Sequence, residues 1–246
     1  MKRSKWLIYL GLAMIFLTVA VYLIHYAIFR DAHHIFIYLI GDIAFVFFEV
    51  FLVTIIIHEL LQLREKQTLM EKLNMVIGAF FSEVGSDLLR LFSQLDPQAR
   101  ELNEKLLVRD DWSGKVFDQL RQELKGYGYA IQLEEESLPA LKEILLAKRE
   151  FLLRLLENPN ILEHDKFTNL LQAVFHLTEE LAARRDLSHL TPGDRDHIVI
   201  DIKRVYHSLT MEWLIYMKYL KASYPFLFSF SLRTNPFNPE ATAELP

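Results

Sequence analysis

Two uncharged apolar runs at the start of the chain limit its fold more than any other feature. Trp6 to Phe29, WLIYLGLAMIFLTVAVYLIHYAIF, carries no charge over 24 residues when His25 is neutral. As a helix it rises about 36 Å, enough for a hydrocarbon core about 30 Å thick. Ile35 to Ile57 is a second run of 23 residues, broken only by Asp42 and Glu49. The intervening RDAHH has room only for a tight turn between antiparallel helices. An all-α chain is expected, opening with a transmembrane two-helix hairpin in residues 1–60, its spans near 6–29 and 35–57.

Lys2, Arg3 and Lys5 precede the first run, Arg64, Lys66 and Lys72 follow the second, and the turn offers only Arg30. Basic residues stay on the cytoplasmic side, so both termini are expected there, in the cell membrane. MKRSK also fits the start of a cleavable signal peptide. However, the apolar region is far longer than the usual 7–15 residues or so, and no small-x-small cleavage site follows. A retained anchor is the expectation.

Asp42 and Glu49 are seven apart and share one helical face. Further steps of seven reach Ile56, Leu63, Met70, Ile77, Val84 and Leu91, all apolar, straight through the polar QLREKQ at 62–67. The second span therefore reads as continuing into a long cytoplasmic helix. Residues 61–95 are expected to form an oligomerisation seam with coiled-coil character through Leu63, Met70, Ile77, Val84 and Leu91. Lys66, Asp87 and Gln94 interrupt the row three residues on. Gly78, Ser82 and Gly85 make a small-residue face suited to close packing or to a hinge.

On the first span, Gly11, Thr18, Tyr22 and His25 form a stripe. A turn near Asp31 would set Tyr22 beside Asp42 and His25 near Tyr38. Glu49 falls level with Met14 and Ile15, which offer it nothing, so its partner is another copy of the chain, a water or an ion. An ionised acid at mid-membrane costs about 2.5–3.5 kcal/mol. Beside lipid headgroup contact or the binding of a partner membrane protein, two uses of Glu49, Asp42, Tyr22 and His25 follow. One is a hydrogen-bonded acid pair that sets register in a homo-oligomer; the other is an ion or proton pathway.

Residues 96–235 are expected to be a helical cytoplasmic domain. DPQARELNEKLLVRD starts with Asp96 as cap and Pro97 in the first turn, and the next helix ends at Gly126. A further helix begins at Ser137 and stops before Pro159, another is capped by Asp165, and the longest runs from Thr191 to Ser223. Only YGYAIQL, 127–133, alternates as a strand would. Residues 236–246 are expected to be a loose tail.

His176 and Glu180 are four apart, as are His197 and Asp201 on the next helix. A turn at 188–192 would bring the pairs level, and two imidazoles with two carboxylates suit a divalent metal. Against this, Phe167, Leu170, Leu171, Val174, Thr178 and Leu181 mark the buried face, with His176 opposite it. Ile198, Ile202, Val205, Leu209 and Tyr216 mark the inner face of the following helix. The expectation is a surface polar network, with no metal and no cofactor assigned.

No cysteine is present, KGYG at 125–128 has neither phosphate-loop spacing, and no nucleophile elbow or His-Glu-x-x-His occurs. A net charge of −5 gives no electrostatic case for nucleic acid. Near Leu214, Ile215 and Met217 the last long helix is apolar all round, so it is central or shared between subunits. The expected function is a non-enzymatic homo-oligomeric scaffold, sensor or adaptor, partnered by the bilayer, by itself and by other proteins. The alternative is an acid-lined ion or proton channel.

Overall fold

The computed structural model of the chain describes residues 2–134 and 136–244, and over them it is helical with no strand. Helix α1 covers Lys2–Phe29 and α2 covers Ala32–Phe80. A π-helical turn, Phe81–Gly85, leads into α3, Ser86–Leu95. There follow α4 (Ala99–Lys105), α5 (Gly114–Leu124), α6 (Ser137–Ala147) and α7 (Arg149–Leu156). The last three are α8 (Asp165–Ala183), α9 (Pro192–Ser223) and α10 (Pro225–Arg233). Contacts divide the chain into two units, Met1–Lys66 and Gln67–Pro246.

In the first unit, Arg30 takes a left-handed backbone conformation (φ 55°), and its N–H donates to Tyr26 O at 2.9 Å, which stops α1. Asp31 Oδ1 then accepts from His34 N at 3.2 Å and caps α2. The connection is only two residues, shorter than RDAHH suggests, because the cap lets α2 begin at Ala32. Among the described residues, two helices are long and apolar enough to cross a membrane, and their apolar windows bury nothing within the structure. Phe16 and Phe47 are 75% and 76% exposed.

The second unit is built on α8 and α9. Helix α8 buries Phe167, Leu170, Leu171, Val174, Thr178 and Leu181, the stripe its helical spacing selects, and Leu177 as well. Helix α9 buries Ile198, Ile202, Val205 and Leu209, then Trp213, Leu214 and Met217, and is packed against α3, α5, α8 and α10. Its apolar second half is therefore central to this unit. Thr191 Oγ1 accepts from Asp194 N at 3.2 Å and Pro192 opens the first turn, a strong start signal. Helix α8 starts differently from expectation: His164 Nδ1, rather than Asp165, accepts from Phe167 N at 3.1 Å. YGYAIQL forms no strand; Gln132 N donates to Leu95 O at 2.8 Å and Tyr129 packs on Tyr206.

Two expectations are corrected here, and one pair of alternatives is decided. The stretch 61–95 is not a separate seam, since Ile77 and Val84 are buried in the chain's own core, while Met70 and Leu91 pack against that core. Of the five seam residues, only Leu63 is exposed. A step of seven and the stripe of a domain helix pick the same positions over a few turns, so periodicity alone does not separate them. Gly78 and Gly85 are packing positions: a Cβ on Gly78 would lie 2.8 Å from Tyr216 Oη, and one on Gly85 2.6 Å from Phe81 Cδ1. Finally, the tail is anchored at its start, with Phe237 buried edge-on to Trp213 and Asn235 Nδ2 donating to Leu106 O at 2.9 Å. Residues 245 and 246 of that tail lie outside the described residues.

Candidate functional site

Three places carry chemistry. The first is the acid pair in α2. Asp42 and Glu49 are both exposed. The polar contacts of this stretch belong to other groups: Thr18 to Met14 O (3.0 Å), Thr54 to Val50 O (2.7 Å), and Gln62 with His58 (2.9 Å). Among the described residues, neither acid has a hydrogen-bonding partner, and the expected Tyr22–Asp42 bond is absent. His25 does not meet Tyr38 either. It lies between Phe29 (4.7 Å) and His34 (6.0 Å), and His34 in turn meets Tyr38 edge-on. The short turn explains this, because it brings His34 up to the level expected for Tyr38.

The second place is a cavity of about 470 Å³ in the helical unit. Gly78, Phe81 and Ser82 form one wall, at the end of α2 and the π-helical turn, while Trp213, Tyr216, Tyr219 and Phe230 come from α9 and α10. The missing Cβ of Gly78 lets Tyr216 approach, and Tyr216 stacks on Phe81 at 5.4 Å. Tyr219 Oη is buried with no hydrogen-bond partner, and burial with Tyr224 alongside pushes its hydroxyl up to about 12. Six aromatic rings line it, together with the polar side chains of Asn74, Ser82, Ser86, Ser231 and Thr234. Such a cavity suits a largely apolar ligand carrying a few hydrogen-bonding groups. Sequence patterning gave no sign of it, since the π-helical turn that shapes it has no period of its own.

The third place is where α8 meets α9. Arg184, just past α8, donates Nη1 to Glu180 O at 2.7 Å and to the Glu180 carboxylate, and its Nη2 lies 3.4 Å from Asp194 Oδ1. That clasp holds the two helix ends together. It also keeps the Glu180 carboxyl below its ordinary range, with the nearby His176 and His197 adding to the effect. One ligand atom from each of His176, Glu180 and His197 lies within 4.8 Å of the others. Asp201 Oδ2 is 3.4 Å from His176 Nε2 and 3.3 Å from His197 Nε2. Arg204 Nη1 is 3.2 Å from Asp201 Oδ1. The Asp201 side chain is 3% exposed, yet neither oxygen has an aligned hydrogen-bond donor.

The structure therefore brings His176, Glu180 and His197 together and sets Asp201 beside the two histidines. A helical wheel with a single buried face turned His176 away from them. In the fold, α9 packs on one side of α8 and α6 and α7 on another, so burial extends past that face to Leu177. His176 then stands at the rim of the α8–α9 groove, about half exposed.

Comparison with known proteins gives matches along almost the whole chain. The family model described as "MJ1433, N-terminal helical domain" matches residues 2–61. That described as "Uncharacterized protein MJ1433, C-terminal helical domain" matches residues 69–233. The uncharacterized protein MJ1433 of Methanocaldococcus jannaschii is 43% identical over 238 residues, which cover 97% of this chain and 96% of that one. No solved structure matches.

Proposed function

We propose, from the premise that the chain belongs to the family of the uncharacterized protein MJ1433, that it is a two-span, non-enzymatic membrane protein, a homo-oligomeric sensor or adaptor with its helical domain in the cytoplasm. The observation that carries this reading is the exposure of most of the large apolar side chains along α1 and along α2 as far as Leu63. Each such side chain left in water forgoes about 1.5–3 kcal/mol. A helix that is apolar all round over a bilayer's thickness is stable against lipid or protein. The basic residues beyond the spans favour cytoplasmic termini.

Asp42, Glu49, Ile56 and Leu63 remain an exposed row. A second copy placed there would give the acids partners and remove the cost of an isolated charge in lipid. The aromatic cavity supplies the sensing site for a largely apolar ligand. Light scattering in mild detergent tests the assembly: a defined oligomer is expected, dissolved by joint Asp42→Leu and Glu49→Leu substitution. A monomeric wild-type protein would overturn it.

The lack of an in-chain partner for either acid also favours a second reading, an ion or proton pathway lined by Glu49 and Asp42. Liposome flux that is lost in Glu49→Gln is its signature. Wild-type protein without flux excludes it.

A further inference from the structure

We propose that His176, Glu180, His197 and Asp201 form a binding site for one divalent transition-metal ion of the Zn²⁺ class, held across the groove between α8 and α9. The inference is independent of the membrane reading, since every ligand lies in the helical unit.

The geometry argues for it in two ways. Ligand atoms about 2.0–2.1 Å from a tetrahedral ion stand about 3.3–3.4 Å from one another. Asp201 Oδ2 keeps 3.4 Å and 3.3 Å from the two imidazole Nε2 atoms. These match two of the six edges of a tetrahedron around one ion, with a Glu180 carboxylate oxygen within 4.8 Å of a nitrogen of each histidine, and neither contact has the alignment of a hydrogen bond. The second argument is burial. A carboxylate with 3% exposure and no hydrogen bond is costly, and Arg204 approaches only one of its oxygens. An ion bound through Oδ2 supplies what the protein leaves out.

The donor set selects the metal. Two imidazoles disfavour Mg²⁺ and Ca²⁺, which take all-oxygen sites, and two carboxylates with two imidazoles suit Zn²⁺ or Co²⁺. The Arg184 clasp fixes Glu180 and the helix ends without occupying either histidine. His176 and His197 are about half exposed, so the rim is open for an ion to enter and for the rings to adjust. Because the ligands come in pairs from two helices, binding would also tie α8 to α9 and stabilise the fold.

The test uses untagged full-length protein in detergent, stripped with chelator and titrated with Zn²⁺ by calorimetry and with Co²⁺ by visible absorption. One ion per chain, an intense four-coordinate Co²⁺ spectrum and a metal-dependent rise in melting temperature are expected. Asp201→Asn and the His176→Ala/His197→Ala double variant should each weaken binding by about 100-fold or more. His189→Ala, which lies outside the cluster, should change nothing. Both histidines are solvent-facing, so the double variant keeps the fold even where the buried Asp201→Asn does not. Substoichiometric binding by the wild type, or affinity unchanged in the folded double variant, overturns the proposal.

Discussion

Ile77→Ala separates a core position from an assembly seam. Ile77 is 3% exposed within its own chain. Truncation removes three methyl or methylene groups and leaves a cavity beside Phe80 and Phe81, at a cost of about 2–5 kcal/mol. For a helical unit of this size each kcal/mol moves the melting temperature by about 2–4 °C, so a drop of about 4–20 °C is expected. Leu162→Ala is the control, since Leu162 is 62% exposed in the helical unit and its truncation should cost no more than about 0.5 kcal/mol. The assay is thermal unfolding in detergent followed by helicity, with particle mass measured by light scattering on the same samples. Ile77→Ala should lower the melting temperature and leave the mass unchanged. An unchanged melting temperature with a reduced mass would refute the reasoning and return Ile77 to an intermolecular seam.

The two packed glycines should respond unequally. Gly85→Ala drives a Cβ into Phe81 and Phe80, both buried, and should destabilise by about 1–3 kcal/mol; Gly78→Ala meets only the tip of Tyr216 and should cost less, both read by thermal melts. Glu212 is buried, and burial holds its carboxyl above the ordinary range against the opposing pull of His164, Lys166 and Arg121. A raised acid in the fold favours the protonated form, so its contribution to stability falls as pH rises from the ordinary carboxylate range through the raised value. Glu212→Gln should therefore flatten that decline and raise stability at neutral pH, measured by denaturant titration across pH. Thr191→Ala removes the α9 cap and should cost about 0.5–2 kcal/mol in the same titration.

Legibility in the sequence followed the local physics. The α8 and α9 stripes, the Thr191–Pro192 start and the continuation of α2 beyond Ile57 were readable because helical spacing and capping act over a few residues. The fate of Ile77 and Val84 was not, because the same apolar periodicity serves a core or a partner, and only tertiary packing decides. Phe237 sits in a segment rich in Pro and Asn, yet Asn235 folds it back by accepting from Phe237 N at 2.9 Å. The histidine–carboxylate cluster was half readable: i, i+4 spacing proposed it, and a wheel with one buried face removed it. The multi-sided packing of α8 restores it.

The chain has no cysteine, so single thiols report their surroundings without background. Ala32→Cys at the start of α2 and Ser188→Cys in the helical unit, both exposed, can be labelled in intact cells with a membrane-impermeant maleimide. The two-span account predicts that Cys at position 32 labels from outside, that Cys at position 188 labels only after lysis, and that alkaline carbonate leaves the protein in the membrane. Release by carbonate, or equal labelling of both positions before lysis, would contradict it.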